Sequence, residues 1–388
     1  MIPLCHFNRE RGRRSGRAAK YTVTCISYAK YFEECTPMKL EKLHKPNALK
    51  RGDKIATVSL SWGGPGTFRY RYDAGKKQLE EAFGVQVVEM PHTAKPADWV
   101  ARNPQARADD LMQAFSDPEI KAVFSTIGGD DSIRLIPYLD INVIKNNPKI
   151  FMGYSDTTVS HFACLKAGLA SFYGPSIMSG FAENTGLFPY MTKSVQDTLF
   201  STDKIGVLEA AEEWTDERLD WSDEKNQKIK RPTHKPLGWQ FLQKTEKPVK
   251  GRLIGGCFEV VETIKSTELW PDKEIWDDAI LFLEVSEEKP PEVIFQRGIR
   301  NYGAQGILHK LKGVLFGRPG GSLPVNEVQK YDEILRAVIA DEFGVKNIPI
   351  ISQMDFGHCD PMLVMPYGRE VEINSEHETV AVLESAVV

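Results

Sequence analysis

Beginning at Lys54, the chain repeats one pattern of short apolar run, turn and amphipathic helix, and that alternation restricts it to few folds. KIATVSL leads into the turn SWGGPG and the helix-forming FRYRYDAGKKQLEEAFG, and VQVVEM precedes the helical ARADDLMQAFSD. KAVFSTI precedes GGDDS and IRLIPYL, and KIFMGYS precedes TTVSHFACLKAG. Strands alternating with helices of about 10–15 residues form a parallel sheet covered on both faces. Ligands of such sheets bind at the carboxyl ends of the strands, where SWGGPG, GGDDS and GYSD all fall. The pattern predicts an N-terminal α/β domain over 38–199.

Past residue 200 the character changes. AAEEWTDERLDWSDEKNQKIKRPTHKP is polar and charged, and Trp214, Trp221 and Trp239 lie in or beside it. This predicts a linker or loop over 200–250, long enough to be functional. Beyond it, GRLIGGCFEVVETI, AILFLEV, GVLFGRP and IPIISQMDFGH read as short strands, with one amphipathic helix in EVQKYDEILRAVIADEFG. They predict a second, β-rich α/β domain over 251–388. Residues 1–37 carry seven Lys/Arg against three acids, whereas the whole chain nets −4, so they read as a tail or upstream extension. Their apolar stretch YTVTCISYA is too weak for a secretory signal. No apolar run approaches the roughly 18 residues of a membrane span, and no basic domain marks a nucleic-acid partner. Cys164, Cys257 and Cys359 are scattered without metal-ligand spacing, which fits a reducing, cytoplasmic compartment and no metal site.

Three residues at strand ends suggest chemistry. Ser132 closes GGDDS between a strand and a predicted helix, where a hydroxyl can stand on a sharp turn beside unpaired helix N–H groups. An ordinary helix cap explains the same serine. Among eight histidines, His358 sits in a Gly-flanked loop directly after IPIIS, and Glu284 ends the apolar AILFLEV, where a buried carboxylate needs a partner. A serine, an acid and a histidine in that order are the parts of a hydrolytic triad. The same glycine turns could instead cradle a phosphate, although Asp130 and Asp131 would repel it and no Walker lysine is present.

The runs FSTIGGDDSIRLIPYLD, FMGYSDTT, GRLIGGCFEVV, AILFLEVSEE and DFGHCDPMLVMPYG closely resemble the serine LD-carboxypeptidase family, in particular its branch of microcin C immunity proteins. The resemblance covers about 45–388. It implies a flavodoxin-like N-terminal domain, a β-rich C-terminal domain and a triad assembled between them from Ser132, Glu284 and His358. With Ser132 as nucleophile, the backbone N–H of Ile133 is the expected oxyanion donor. Hydrolysis would proceed through an acyl-enzyme with no cofactor and no metal, and the resemblance implies a homodimer. Cys257 stands where an asparagine-like residue is expected.

The resemblance leaves two substrate classes. One branch trims the terminal D-alanine of murein tetrapeptides; the other cuts an amide joining an aminoacyl or peptidyl group to a nucleotide. The Trp-bearing 200–250 segment favours the second, because a tryptophan face stacks well on a purine. Trp221 and Trp239 are the candidate stacking residues, with Ser155 and Asp156 of GYSD as further substrate contacts. A catalytically silent nucleotide-binding module is a remaining possibility, since fold does not fix function.

Overall fold

The computed structural model describes residues 39–388, and the expected tail over 1–37 lies outside them. The four predicted strands alternate with helices, as β1 (Lys54–Val58), β2 (Gln86–Glu89), β3 (Ile120–Ser125) and β4 (Ile150–Gly153), and the two-residue β5 (Phe172–Tyr173) is an unpredicted fifth. All their pairings are parallel, in the order β5-β4-β3-β1-β2, which is the flavodoxin-like order. The order reverses between β1 and β3, so a crevice opens at the carboxyl ends of the central strands.

Side chains of a strand alternate between its faces, and each face here has its own core. Ile55, Ala122, Phe124, Ile150 and Met152 pack on one side with Tyr72, Leu79 and Phe83. Those three, with Gly75, recur three and four apart along helix Arg69–Phe83 and form its buried stripe; Gly84, at φ 68, ends the helix with its N–H on the Glu80 carbonyl. On the other side Ala56, Val58, Val123 and Phe151 pack with Leu111, Phe115 and Phe162, and this core continues into Leu253, Ile254, Leu281 and Phe282 of the second half.

That second half holds β6 (Gly206–Leu208), β7 (Gln240–Gln243), β8 (Val249–Cys257), β9 (Ala279–Glu284), β10 (Gly313–Gly317), β11 (Ile350–Met354), β12 (Met365–Pro366), β13 (Glu370–Asn374) and β14 (Thr379–Val382). All but β12 form one sheet in the order β6-β14-β13-β8-β9-β10-β11-β7. Its four middle strands, β8 to β11, are parallel and its flanks antiparallel. β12 crosses back to pair with β5 of the first sheet.

Two local expectations change. FEVVETI forms helix Phe258–Ile264, because Phe258, Val261 and Ile264 repeat at three residues and bury one stripe, with Phe258 against Phe295 at 4.9 Å. IRLIPYL belongs to a 3-10 turn, Ser132–Tyr138, with Pro137 inside it; proline lacks the N–H that an α-helix would use. The 200–250 segment is also not a plain linker, since it supplies edge strands β6 and β7.

Only an arm between those two strands, about 209–239, runs outside the sheets, and it is pinned. Thr215 and Asp360 exchange backbone hydrogen bonds of 2.7 and 2.8 Å, and Trp214 and His234 do the same at 2.9 and 2.7 Å. Arg231 is buried between two carboxylates: Nε donates to Glu183 at 3.0 Å and Nη2 to Asp360 at 2.8 Å. Removing one partner of a buried ion pair leaves an uncompensated charge. Arg231→Met is expected to cost about 3–5 kcal/mol of stability, read from the denaturant midpoint; a change below 1 kcal/mol would mean the arm is held some other way.

Candidate active site

The loops after β1, β3 and β4 meet in the crevice, and the two serines of GGDDS and GYSD lie side by side in it. Ser132 is fully buried and committed to structure. Its N–H donates to Asp156 Oδ2 at 2.7 Å, and its hydroxyl donates to the Asp156 carbonyl at 2.6 Å. Ser155 is partly exposed and stands at φ 63, in the left-handed region, between β4 and the helical turn that leads into helix Thr158–Lys166. A serine in that conformation between a strand and a helix is a strained elbow that lifts its hydroxyl out of the chain path.

His358 faces Ser155. Its Nε2 is 2.9 Å from Ser155 Oγ, and its Nδ1 is 2.7 Å from Glu284 Oε2. A carboxylate only accepts, so Nδ1 carries the proton and Nε2 is left free to accept the Ser155 hydroxyl proton. The structure therefore joins Glu284 and His358 as expected, but with Ser155 in place of Ser132. Ile133 goes with Ser132: it lies in the 3-10 turn and does not follow the serine that meets the histidine.

Each group is held by its surroundings. Glu284 is fully buried at the end of β9, and the Tyr173 hydroxyl donates to its second oxygen. The same hydroxyl accepts the Ser155 N–H at 3.0 Å, so one tyrosine of β5 touches both the acid and the elbow. Gly357 precedes His358 at φ 98, and a Cβ there would sit 2.6 Å from Glu284 Cγ, so glycine is required beside the carboxylate. A Cβ on Gly128 would come within 2.8 Å of Ser155 Oγ; this glycine keeps the space above the serine open. Arg107, almost wholly buried, ties the loops together by donating to the carbonyls of Leu60 and Ser61, at 3.0 and 3.2 Å, and to Asp131.

Burial alone would lower the proton affinity of His358, but Glu284 and then Glu287 more than offset it and hold the imidazole above its ordinary value. Glu287 Oε2 is 3.4 Å from His358 Nε2, and Arg218 of the arm donates to its other oxygen at 2.5 Å. Burial pushes the Asp156 carboxyl up, against hydrogen bonds from Ser61 and Ser132. Asp156 thus uses its carboxylate to tie the loops together. His161, by contrast, is pushed down to about 4 by burial and spans Ser171 and the Gly153 carbonyl, a structural role.

The two tryptophans separate. Trp239 is committed, its Nε1 donating to buried Asp355 at 2.8 Å. Trp221 is partly exposed, with the Arg71 guanidinium 4.2 Å above its ring and Phe68 edge-on at 6.1 Å. Phe68 meets Trp62 at 5.9 Å, and the backbone N–H of Trp62 donates to the Gly128 carbonyl at 3.2 Å, so the rings of Trp62, Phe68 and Trp221 form an aromatic chain that starts at the loop beside Gly128. Cys257 is buried, with its thiol turned to Glu259. Among the described residues no cluster of His, Cys, Asp and Glu could hold a metal ion, and no helix is long and apolar enough to cross a membrane.

The sequence marked Ser155 only as a substrate contact and Gly128 only as part of the GGDDS turn, and it gave no sign of Tyr173. The signal for Ser155 was present: KIFMGYSDTTVSHF is a strand, a glycine-bearing turn and an uninterrupted helix, whereas GGDDS leads into a segment broken by Pro137. Residues 55–174 match the LD-carboxypeptidase N-terminal domain and residues 250–373 its C-terminal domain. The chain belongs to the LD-carboxypeptidase family. A Vibrio cholerae protein that bears a carboxypeptidase name is 30% identical over 86% of this chain and 95% of its own length. The microcin C7 self-immunity protein of Escherichia coli is 28% identical over 86% and 94%, and a Bacillus subtilis protein named for murein peptide carboxypeptidase activity 26% over 89% and 95%. Among solved structures, a microcin-immunity-like protein of Streptococcus pneumoniae in complex with AMP superposes with a TM-score of 0.76, at 30% identity over 85% of this chain and 98% of that one. The microcin C7 self-immunity protein in complex with aspartyl sulfamoyl adenosine gives 0.76, at 26% identity over 89% and 100%.

The imidazole offers a direct test of the site. Replacing the carboxylate that raises it, by Glu284→Gln, should move the His358 midpoint downward when followed by NMR of the ring protons. An unmoved midpoint would place the influence of Glu284 elsewhere.

Proposed function

We propose that the protein is a serine amide hydrolase in which Ser155 is the nucleophile, His358 the general base and Glu284 the group that orients it. The observation that carries this reading is the single imidazole bridging Glu284 and the strained Ser155. Ser155 Oγ attacks the amide carbonyl carbon as its proton passes to His358 Nε2, and the imidazolium is stabilised by Glu284. The carbonyl oxygen becomes an oxyanion beside the backbone N–H of Asp156, next after the nucleophile, and beside the Gly128–Gly129 turn. When the tetrahedral intermediate collapses, the C–N bond breaks and the leaving nitrogen takes the proton from Nε2. Water, deprotonated in turn by His358, then attacks the acyl-enzyme ester and frees Ser155.

The substrate we favour is an aminoacyl or peptidyl group joined to a nucleotide-like moiety. Trp221 supports it: a partly exposed ring already backed by a guanidinium, at the end of the aromatic chain that starts beside Gly128, suits a planar base. Two similar structures carry AMP and an aminoacyl nucleoside analogue in their complexes. Trimming of murein peptides is the second reading, favoured by the likeness to the Bacillus subtilis protein.

Ser155→Ala should lower turnover by roughly 10⁴- to 10⁶-fold and abolish labelling by a fluorophosphonate. Ser132→Ala should keep labelling, with losses confined to loop positioning. If Ser132→Ala is instead the variant that abolishes labelling, the nucleophile assigned here is wrong.

Base–aromatic stacking contributes about 1–3 kcal/mol, so Trp221→Ala should cut kcat/KM roughly 5- to 150-fold on an aminoacyl-nucleotide amide and hardly at all on a murein tetrapeptide. Trp239→Ala should lower Tm, since it strips a partner from buried Asp355. Equal losses on both substrates for Trp221→Ala would make that ring structural.

A further inference from the structure

One charged group at the mouth of the site has no part in the triad. Glu287 follows Glu284 by three residues, and its side chain is 45% exposed where Glu284 and His358 are sealed. Its Oε2 lies 3.4 Å from His358 Nε2, the nitrogen that also faces Ser155 Oγ at 2.9 Å. The position is built. The Ser286 N–H and hydroxyl both donate to partly buried Glu259, at 2.9 and 2.7 Å, and Arg218 holds Glu287 Oε1. Gly320 packs so closely that a Cβ there would sit 2.7 Å from His358 Cβ and 3.2 Å from the Glu287 nitrogen.

A carboxylate in this place works against the base, because it favours the protonated imidazole that cannot accept the Ser155 proton. Its use must therefore lie with the substrate. A reacting carbonyl carbon sits about 3–3.5 Å from the attacking oxygen. An amino group on the adjacent acyl carbon is two bonds from that carbonyl, within reach of Glu287 Oε2. At neutral pH such an amine, if unacylated, is a cation with donors to spare, and the free edge of Glu287 has only acceptors.

Resting on the hydrolase reading above, we infer that Glu287 is the specificity residue that anchors a free α-ammonium group on the acyl residue, so that the enzyme takes aminoacyl amides in preference to N-acylated ones. Arg218 fixes the carboxylate through its other oxygen. An N-acylated substrate brings a neutral amide to the same place and offers Glu287 Oε2 no cation, leaving the carboxylate only its pairing with Arg218.

The test separates binding from turnover. Aspartyl sulfamoyl adenosine and its N-acetyl derivative are titrated calorimetrically into Ser155→Ala protein, with and without Glu287→Gln. The free amine should bind roughly 10- to 100-fold more tightly, as a charge-assisted hydrogen bond implies. Glu287→Gln should bring the ratio close to one while altering N-acetyl affinity less than about twofold, and Glu287→Asp should restore part of the preference. The preference should also fade as pH rises through the amine's own value of about 8. No preference in the parent, a preference untouched by Glu287→Gln, an equal loss for both ligands, or binding of neither would each overturn the proposal. A wrong nucleophile would show up separately, as turnover surviving in the Ser155→Ala protein.

Discussion

The buried carboxylate of Glu284 is the point on which the architecture turns. A charge with no solvent must be met by donors, and here they come from distant parts of the chain: Tyr173 from the first sheet and His358 from the segment that crosses between the sheets. Satisfying Glu284 therefore fastens β9, β5 and the crossing loop together. The same contacts set the tautomer of His358 and, through Tyr173, hold the backbone of Ser155. Pairing this charge adds to the shared core and the β12–β5 pairing in fixing how the two sheets meet.

How far the site was legible depended on which physical signal each residue left in the sequence. Glu284 was legible because an acid ending an apolar strand has few harmless explanations, and His358 because it stood in a glycine-flanked loop at a strand end. The serine that meets His358 is Ser155, whereas the sequence pointed to Ser132. Both GGDDS and GYSD follow strands, and the first looked more like a functional turn because it held more glycine. Of the glycines of GGDDS, Gly128 keeps bulk away from Ser155 and Gly129 from Ser61, and Ser132 spends its hydroxyl on the Asp156 carbonyl. Pro137 shows that no α-helix follows Ser132, so the elbow had to lie elsewhere.

The fold itself was more transparent than its boundaries. Alternating strand and helix patterns were enough to predict the parallel sheet, since each element is long enough to show its period. The 200–250 segment was opaque for the opposite reason: β6 and β7 are short edge strands whose partners, β14 and β11, lie more than 100 residues away in sequence. Nor does composition separate Trp239 from Trp221. One donates to a buried aspartate and the other stands under an arginine, a difference set by tertiary neighbours alone.

The placement of His358 has a consequence for how the protein comes into being. Ser155 and His358 are separated by 203 residues of chain, and the histidine belongs to the stretch that returns to the first sheet after six of the second sheet's eight strands, β6 to β11, have been made. A ribosome releases the serine long before its base exists. On the assignment proposed above, the nascent chain carries an inert Ser155 hydroxyl until the returning strand docks and brings His358 to it. Completion of the fold does for this enzyme what removal of a propeptide does for a zymogen.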